Sequence, residues 1–306
     1  MPSLSDRLGL STPPVYLIDG SSLFYRGFYA FPDLKRSDGA PTNALFIVLR
    51  ILMRLIRQEQ PRFAGFFLDG KGPTFRHELY DRYKAQRPRM PEPLAQQVEP
   101  LKRGVELMGL NLIVSEGVEA DDCIASLAHT FKAHRPVVIL GADKDLKQCL
   151  DTDVVLWDPG GKKESLTTLE DFTSETGLAP RHWPDYQAII GDSSDNIPGI
   201  PGVGPKTAEK IMAGRPSLED VRDHLDDLPE KLRAKVEGHL EEIFLYRRLT
   251  RLDVEACKDH DLDDYAVKRP DPEALAGFLR EYEFRSLLKE MGALFPEVAE
   301  AAKGPA

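Results

Sequence analysis

Nine carboxylates of this 306-residue chain recur where apolar runs end: Asp19, Asp69, Glu119, Asp121, Asp122, Asp143, Asp145, Asp192 and Asp195. Their settings are VYLIDG, FAGFFLDG, EGVEADD, VVILGADKD and IIGDSSDN. Like charges gathered in one place repel unless cations neutralise them, so these residues point to a site for more than one divalent metal ion. The donors are hard oxygens, with no His or Cys among them, which favours Mg²⁺ or Mn²⁺ over Zn²⁺. Paired ions of that kind support in-line displacement at phosphorus.

The elements that must position these acids follow from the pattern around them. Strand-like runs fall near 15–19, 63–68, 111–114, 136–140 and 153–157. Short β-branched or aromatic runs that stop at an Asp read as buried parallel strands delivering an acid to their carboxyl ends. Between them, Leu45, Leu49, Leu52 and Ile56 form one stripe, and Ile124, Leu127, Ala128 and Phe131 form another, both at helical spacing. The alternation predicts an α/β fold over residues 1–180, with a parallel-dominated central sheet and flanking helices. A smaller helical part is expected over 181–306, and the ends before about Pro14 and beyond about Pro296 are expected to be loose.

Within this frame the acids group. Glu119 and Asp122 are three apart and share a helix face, with Asp121 adjacent; one acid there would serve as a cap, but three exceed that need. Asp143 and Asp145 follow a strand, with Lys144 pointing elsewhere. Asp192 and Asp195 share a turn, where an Asx-turn accounts for only one of them. That turn runs into GIPGVGPKTAEKIM, which has the form of a helix–hairpin–helix near 189–214. Its Gly202 and Gly204, and the helix start at Lys206 and Thr207 with Lys210 beyond, offer amides and charge to a phosphate backbone without reading bases. It is not a phosphate-binding loop of the nucleotide-hydrolase type, because Pro205 separates the last glycine from Lys206 and no strand precedes it.

The net charge of −10 argues against nucleic acid until the nine acids are set aside, which leaves −1. The remainder is uneven: from Lys71 to Arg103 there are eight bases and four acids. This segment lies in a long insertion, about 70–109, that contains RPRMPEP. A basic, proline-interrupted insertion beside an acidic pit suits a phosphodiester substrate. Phe75, Tyr80 and Tyr83 fit either base stacking or, with Leu79, a core-facing stripe. Cys123, Cys149 and Cys257 form no CxxC pair and read as small packing residues of a reducing compartment. No signal peptide is evident in MPSLSDRLGLSTP, and no run approaches the ~18 apolar residues of a membrane span. The expectation is a cytoplasmic protein with no membrane contact and, for want of an interface signal, a monomer.

The ordered series LIDGSSLFYR, FLDGKGPTFR, YKAQRPRMPEPL, GVEADD, DKDL and GDSSDNIPGIPGVGPKTA resembles the 5′-nuclease (flap endonuclease) family. It is most similar to the 5′-nuclease domain of bacterial DNA polymerase I, in free-standing or excised form, from about Val15 to about Phe284. The resemblance implies a structure-specific 5′–3′ exonuclease and flap endonuclease of DNA replication and repair. Asp19, Asp69, Glu119 and Asp121 would hold one metal ion, and Asp143, Asp145, Asp192 and Asp195 a second. Asp121 would lie between them, with Asp122 alongside and a third ion conceivable. The insertion would be the family's helical arch, bringing Lys84 and Arg87 to the scissile phosphate. Arg26, Arg76 and Tyr83 are further DNA-contact candidates, a K⁺ ion would sit at the hairpin turn, and a DNA polymerase is a candidate partner. Two rivals are a metal-dependent ribonuclease of the PIN type and a non-catalytic hairpin–helix DNA-binding module. The first has no reason to carry GIPGVGPKTA or the basic insertion, and the second none to carry nine clustered acids. A DxD phosphatase would need no duplex clamp.

Overall fold

The computed structural model of the chain describes residues 2–30, 34–160 and 164–303. Six strands, β1 (Val15–Asp19), β2 (Phe63–Asp69), β3 (Asn111–Ser115), β4 (Val137–Leu140), β5 (Val154–Asp158) and β6 (Ser165–Thr167), form one sheet in the order β3-β2-β1-β4-β5-β6. The first five are parallel, and β6 runs antiparallel to β5 at the edge. The five expected strands are all present. Three-residue β6 was missed, being too short to show a period.

The order of the strands matters for function. From β1 the chain steps outward through β2 to β3, then returns to the other side of β1 as β4. The crevice at the carboxyl ends of β1 and β4 is therefore the point where the winding reverses, where open α/β sheets bind ligands. Every residue of β1 is buried. Its side chains alternate between two cores. Tyr16 and Ile18 pack with Leu45, Leu49 and Leu52, whereas Val15 and Leu17 pack with Ile124, Leu127 and Phe131. Both predicted stripes are thus the buried faces of their helices.

The helices of this body include α1 (Gly20–Ala30) after β1, α2 (Asn43–Glu59) before β2, α3 (Phe75–Leu79) and α4 (Val98–Leu107) within the insertion, and α5 (Ala120–Phe131) between β3 and β4. Gly20 is required where β1 becomes α1, because a Cβ there would lie 2.3 Å from the Phe66 ring and 2.7 Å from the Phe67 carbonyl oxygen. Beyond residue 180, α6 (Trp183–Ile190), α7 (Pro205–Met212) and α8 (Leu240–Thr250) enclose a third core around Ile189, Ile211 and Leu249.

Three expectations are corrected. Residues 272–303, assigned from the sequence to the helical part, pack on the sheet body instead. Phe278 of α9 (Pro272–Glu281) and Leu287 of α10 (Arg285–Leu294) share a core with Leu49 and Leu52. Within the described residues the end segments are not loose, since Leu4 and Val298 are buried in that same core; their apolar side chains were too few to register as a pattern. Cys123 and Cys257, taken as unpaired, are joined as a disulfide across 134 residues, a proximity that sequence spacing cannot reveal. Cys149 is free.

Candidate functional site

Five segments converge at the carboxyl edge of the sheet. Asp19 and Asp69 end β1 and β2, and Asp143 and Asp145 follow β4. Glu119 is the N-cap of α5, with Asp121 and Asp122 in its first turn. Asp192 and Asp195 come from the turn between α6 and α7, held by paired backbone bonds between Asp192 and Ile197. A cavity of about 340 Å³ is lined by Glu119, Asp121, Asp143, Asp145, Asp192 and Asp195, with Tyr83, Lys84 and Arg87 on its wall. Asp69 lines an adjoining cleft of about 160 Å³ that shares Lys84, Arg87 and Glu119. Asp145, Asp192 and Asp195 each bring an oxygen within 4.8 Å of the others.

The charges are in tension. Asp19 is 2% exposed; its Oδ1 accepts from the Ser22 N–H at 2.9 Å, but its buried Oδ2 has no partner. Burial, reinforced by Asp143 and Asp69, pushes its carboxyl up to about 7. Burial with Asp143 does the same to Asp145, also to about 7. Asp121 is raised well above the usual range by burial and by Asp19, Asp143, Asp69 and Asp145. An orphaned buried oxygen among mutually repelling carboxylates is the environment that a hard divalent cation relieves, and the all-oxygen donor set fits Mg²⁺ or Mn²⁺.

Protein cations meet part of this charge. Lys84 Nζ lies 2.7 Å from Glu119 Oε1, and Arg87 Nη2 donates to Asp195 Oδ1 at 2.8 Å. Lys144, expected to point elsewhere, lies 2.9 Å from Asp192 Oδ2; the helical part folds back over the end of β4 and brings the turn to it. Burial alone would raise the Asp192 carboxyl, but hydrogen bonds from Ser194 and Lys144 hold it below its ordinary value.

The remaining candidates are not all brought together. Tyr83 is 2% exposed with its hydroxyl 3.1 Å from Glu119 and 3.0 Å from Asp195, so it braces the acids and presents no face to a base. Burial and these two carboxylates raise its pKa, keeping the hydroxyl a donor. Tyr80 packs on Tyr246 beside the third core. Arg26, its side chain 30% exposed, is paired through both terminal nitrogens with Asp158 at the end of β5. Arg76 is 1% exposed and forks onto the fully buried Asp122 with two 2.7 Å bonds, so each answers the other's charge. The sequence settings of Arg76 and Asp122 resemble those of the other candidate acids and bases, and it is burial together with complete pairing that sets these two apart.

On the hairpin, Gly202, Gly204, Lys206 and Lys210 are exposed and Thr207 is half-buried. Among the described residues, no carbonyl accepts from the Gly202, Gly204 or Lys206 N–H, which leaves these donors facing outward at the start of α7. Two residues escaped notice in the sequence. Lys235 reaches back to donate to the Pro201 carbonyl at 3.2 Å from a stretch otherwise rich in acids. Tyr25, 39% exposed on α1, lies close enough to Arg87 and Asp69 to feel their charges; its place six residues after Asp19 was the available signal.

Comparison with known proteins agrees with this geometry. Residues 14–177 match the model for the 5′–3′ exonuclease N-terminal resolvase-like domain, and residues 178–273 that for the 5′–3′ exonuclease C-terminal SAM fold. The chain is 38% identical over 288 residues to a 5′–3′ exonuclease of Aquifex aeolicus, covering 94% of this chain and 98% of that one. It is 40% identical to DNA polymerase I of Pseudomonas aeruginosa over 92% of this chain, spanning about a third (32%) of that protein's length. In fold it is similar to a zinc-bound T5 5′-exonuclease (TM-score 0.66, 21% identity, 90% of this chain and 98% of that one). The catalytic core of Rad2 in complex with DNA substrate gives a TM-score of 0.65 at 16% identity, over 97% of this chain and 96% of that one. The acid-tipped parallel sheet, the hairpin with outward-facing amides and both family models agree: the chain belongs to the 5′–3′ exonuclease family.

Proposed function

We propose that the protein is a Mg²⁺- or Mn²⁺-dependent, structure-specific 5′ nuclease that hydrolyses DNA phosphodiesters at 5′ flaps and 5′ ends. The observation that carries this reading is the orphaned Oδ2 of Asp19, a carboxylate that interacts with Asp69, Asp121 and Asp143 beside a cavity walled by Lys84 and Arg87. Asp19, Asp69, Glu119 and Asp121 would hold one ion, and Asp143, Asp145, Asp192 and Asp195 the second. Such a pair supplies Lewis-acid stabilisation of charge at phosphorus and a water of lowered pKa.

The chain's own groups do the rest. Lys84 and Arg87 neutralise the non-bridging oxygens of the scissile phosphate, exchanging their carboxylate partners for the substrate. The free amides of Gly202, Gly204 and Lys206, with the Lys206 and Lys210 side chains, hold the duplex backbone and make no sequence-dependent contact. Tyr25 at the mouth of the site supports stacking on an unpaired base. A K⁺ ion at the hairpin turn, a monomeric state and association with a DNA polymerase belong to the same proposal, as does the division of nuclease body from DNA-gripping part near residue 180. No described helix is long and apolar enough to cross a membrane. We place the protein in the cytoplasm, together with its DNA substrate.

Incubation with Mg²⁺ and a labelled 5′-flap duplex, beside single-stranded RNA of the same sequence, tests the reading. Short 5′ DNA products are expected. Cleavage of the RNA alone would favour the ribonuclease rival, and tight binding without cleavage the non-catalytic module.

A further inference from the structure

Asp122 sits between the candidate metal-binding acids in sequence, yet it differs from every one of them in surroundings. It is fully buried. Its Oδ2 accepts from Arg76 Nη1 at 2.7 Å and from the Glu119 N–H at 3.1 Å. Its Oδ1 accepts from Arg76 Nη2 at 2.7 Å and from the Asp253 N–H at 2.9 Å. An ionised carboxylate offers about four lone-pair sites, and here all of them are taken by protein donors. Asp19 is the contrast, with one oxygen left bare.

Arg76 is equally committed. Beyond Asp122, its Nε donates to the Leu249 carbonyl at 2.8 Å and its Nη2 to the Arg251 carbonyl at 3.0 Å. Leu249 lies near the end of α8 and Arg251 just past it. The pair therefore ties together three pieces: the start of the basic insertion, the first turn of α5, and the return from the helical part.

We infer that Asp122 is a positioning residue, not a metal ligand, and that with Arg76 it locks Glu119 and Asp121 in place while clamping the helical part to the catalytic edge. This rests on the nuclease reading given above. The Asp122–Glu119 bond fixes the N-cap whose side chain projects into the cavity, and bidentate Arg–carboxylate pairing specifies orientation as well as charge. A rotation of the first turn of α5 would move Glu119 and Asp121 together. Lysine cannot replace the arginine, because one ammonium cannot reach both oxygens and two carbonyls in a fixed fork.

The test compares Asp122→Asn, Arg76→Lys and Asp19→Asn, first by titrating Mn²⁺ with electron paramagnetic resonance. Single-turnover flap cleavage at saturating Mn²⁺ and substrate follows, with flap affinity measured separately in Ca²⁺. Asp19→Asn should lose an ion or weaken its binding strongly. Asp122→Asn and Arg76→Lys should keep the wild-type number of bound ions, yet lose about 10–100-fold in cleavage rate, the range seen when groups that orient metal ligands are removed, with flap affinity unchanged. If Asp122→Asn is unfolded at the assay temperature, Arg76→Lys, which keeps the buried charge, carries the measurement. Loss of an ion in Asp122→Asn comparable to that in Asp19→Asn overturns the inference, as does wild-type cleavage by Arg76→Lys. A wild-type protein that binds Mn²⁺ but cuts no flap refutes the nuclease reading instead, leaving the ion count of Asp122→Asn to decide the assignment of Asp122.

Discussion

The ammonium of Lys84 lies 2.7 Å from Oε1 of Glu119, so a cation proposed to act on the scissile phosphate is docked on an acid proposed to hold metal. Its backbone is fixed too. Lys84 adopts φ +53°, uncommon for a residue with a side chain, and its N–H donates to the Asp195 carbonyl at 3.0 Å. Lys84→Ala should lower the single-turnover rate at saturating substrate by about 3 kcal/mol, roughly a hundredfold, with Ca²⁺-supported flap binding little changed. Parallel losses in binding and rate would assign Lys84 to the grip on DNA instead.

Stability should respond to pH in the sense opposite to ordinary acid denaturation. Asp19 and Asp145 have folded-state pKa values raised to about 7 by burial and neighbouring carboxylates. Between the normal carboxylate range and about 7 the folded chain binds more protons than the unfolded one. Their contribution is fully present at low pH and is lost as pH rises through about 7. In EDTA the melting midpoint should therefore fall from about pH 5 to pH 8, and added Mg²⁺ should raise it most at the upper end, where the ligands are deprotonated. A midpoint indifferent to Mg²⁺ at pH 8 would count against a shared cation site.

Asp192 and Lys206 stand on the same hairpin but should fail differently. Asp192→Asn keeps shape and removes one charge, so metal affinity and turnover should drop while flap binding survives or tightens. Lys206→Ala should weaken flap binding at low salt and reduce its salt dependence by about one counterion, leaving saturated single-turnover cleavage nearly intact. Rate measurements beside a Ca²⁺ binding titration separate the two, and the reverse pattern would refute this division of roles.

The hairpin also depends on a contact no side chain can share. Gly199 has φ +65°, and a Cβ there would come within 2.4 Å of the Gly191 nitrogen. Gly199→Ala should cost about 2 kcal/mol or more and displace Asp192 and Asp195 along with the duplex grip. Calorimetry and Mn²⁺ titration read both effects; a variant that melts and binds Mn²⁺ as the wild type does would show the hairpin to be pliant.

The fold was largely legible because its signals are local and repeated. Five apolar runs that stop near acids, and two stripes such as Leu45-Leu49-Leu52-Ile56, each state their own burial. The candidate acids were equally visible as a set. What the sequence could not separate was Asp122 from Asp121, neighbours of one chemistry, because the difference lies in Arg76, 46 residues away, and in backbone groups at Glu119 and Asp253. The pairing of Arg26 was invisible for the same reason: its partner Asp158 lies 132 residues on. Lys144 shows the converse, a residue dismissed because its neighbour in space, Asp192, is not its neighbour in sequence.

The matched family models stop at residue 273, but the protein's interior does not. Phe278, Leu287 and Met291 lie against Leu49, Leu52 and their neighbours on α2, the helix that backs the first strand. The stretch covered by the two family models and the stretch that folds as a thermodynamic whole thus have different lengths here. A fragment cut at residue 273 would keep every candidate acid, yet uncover the oily flank of the helix behind Asp19, and it would be expected to aggregate before it could be assayed.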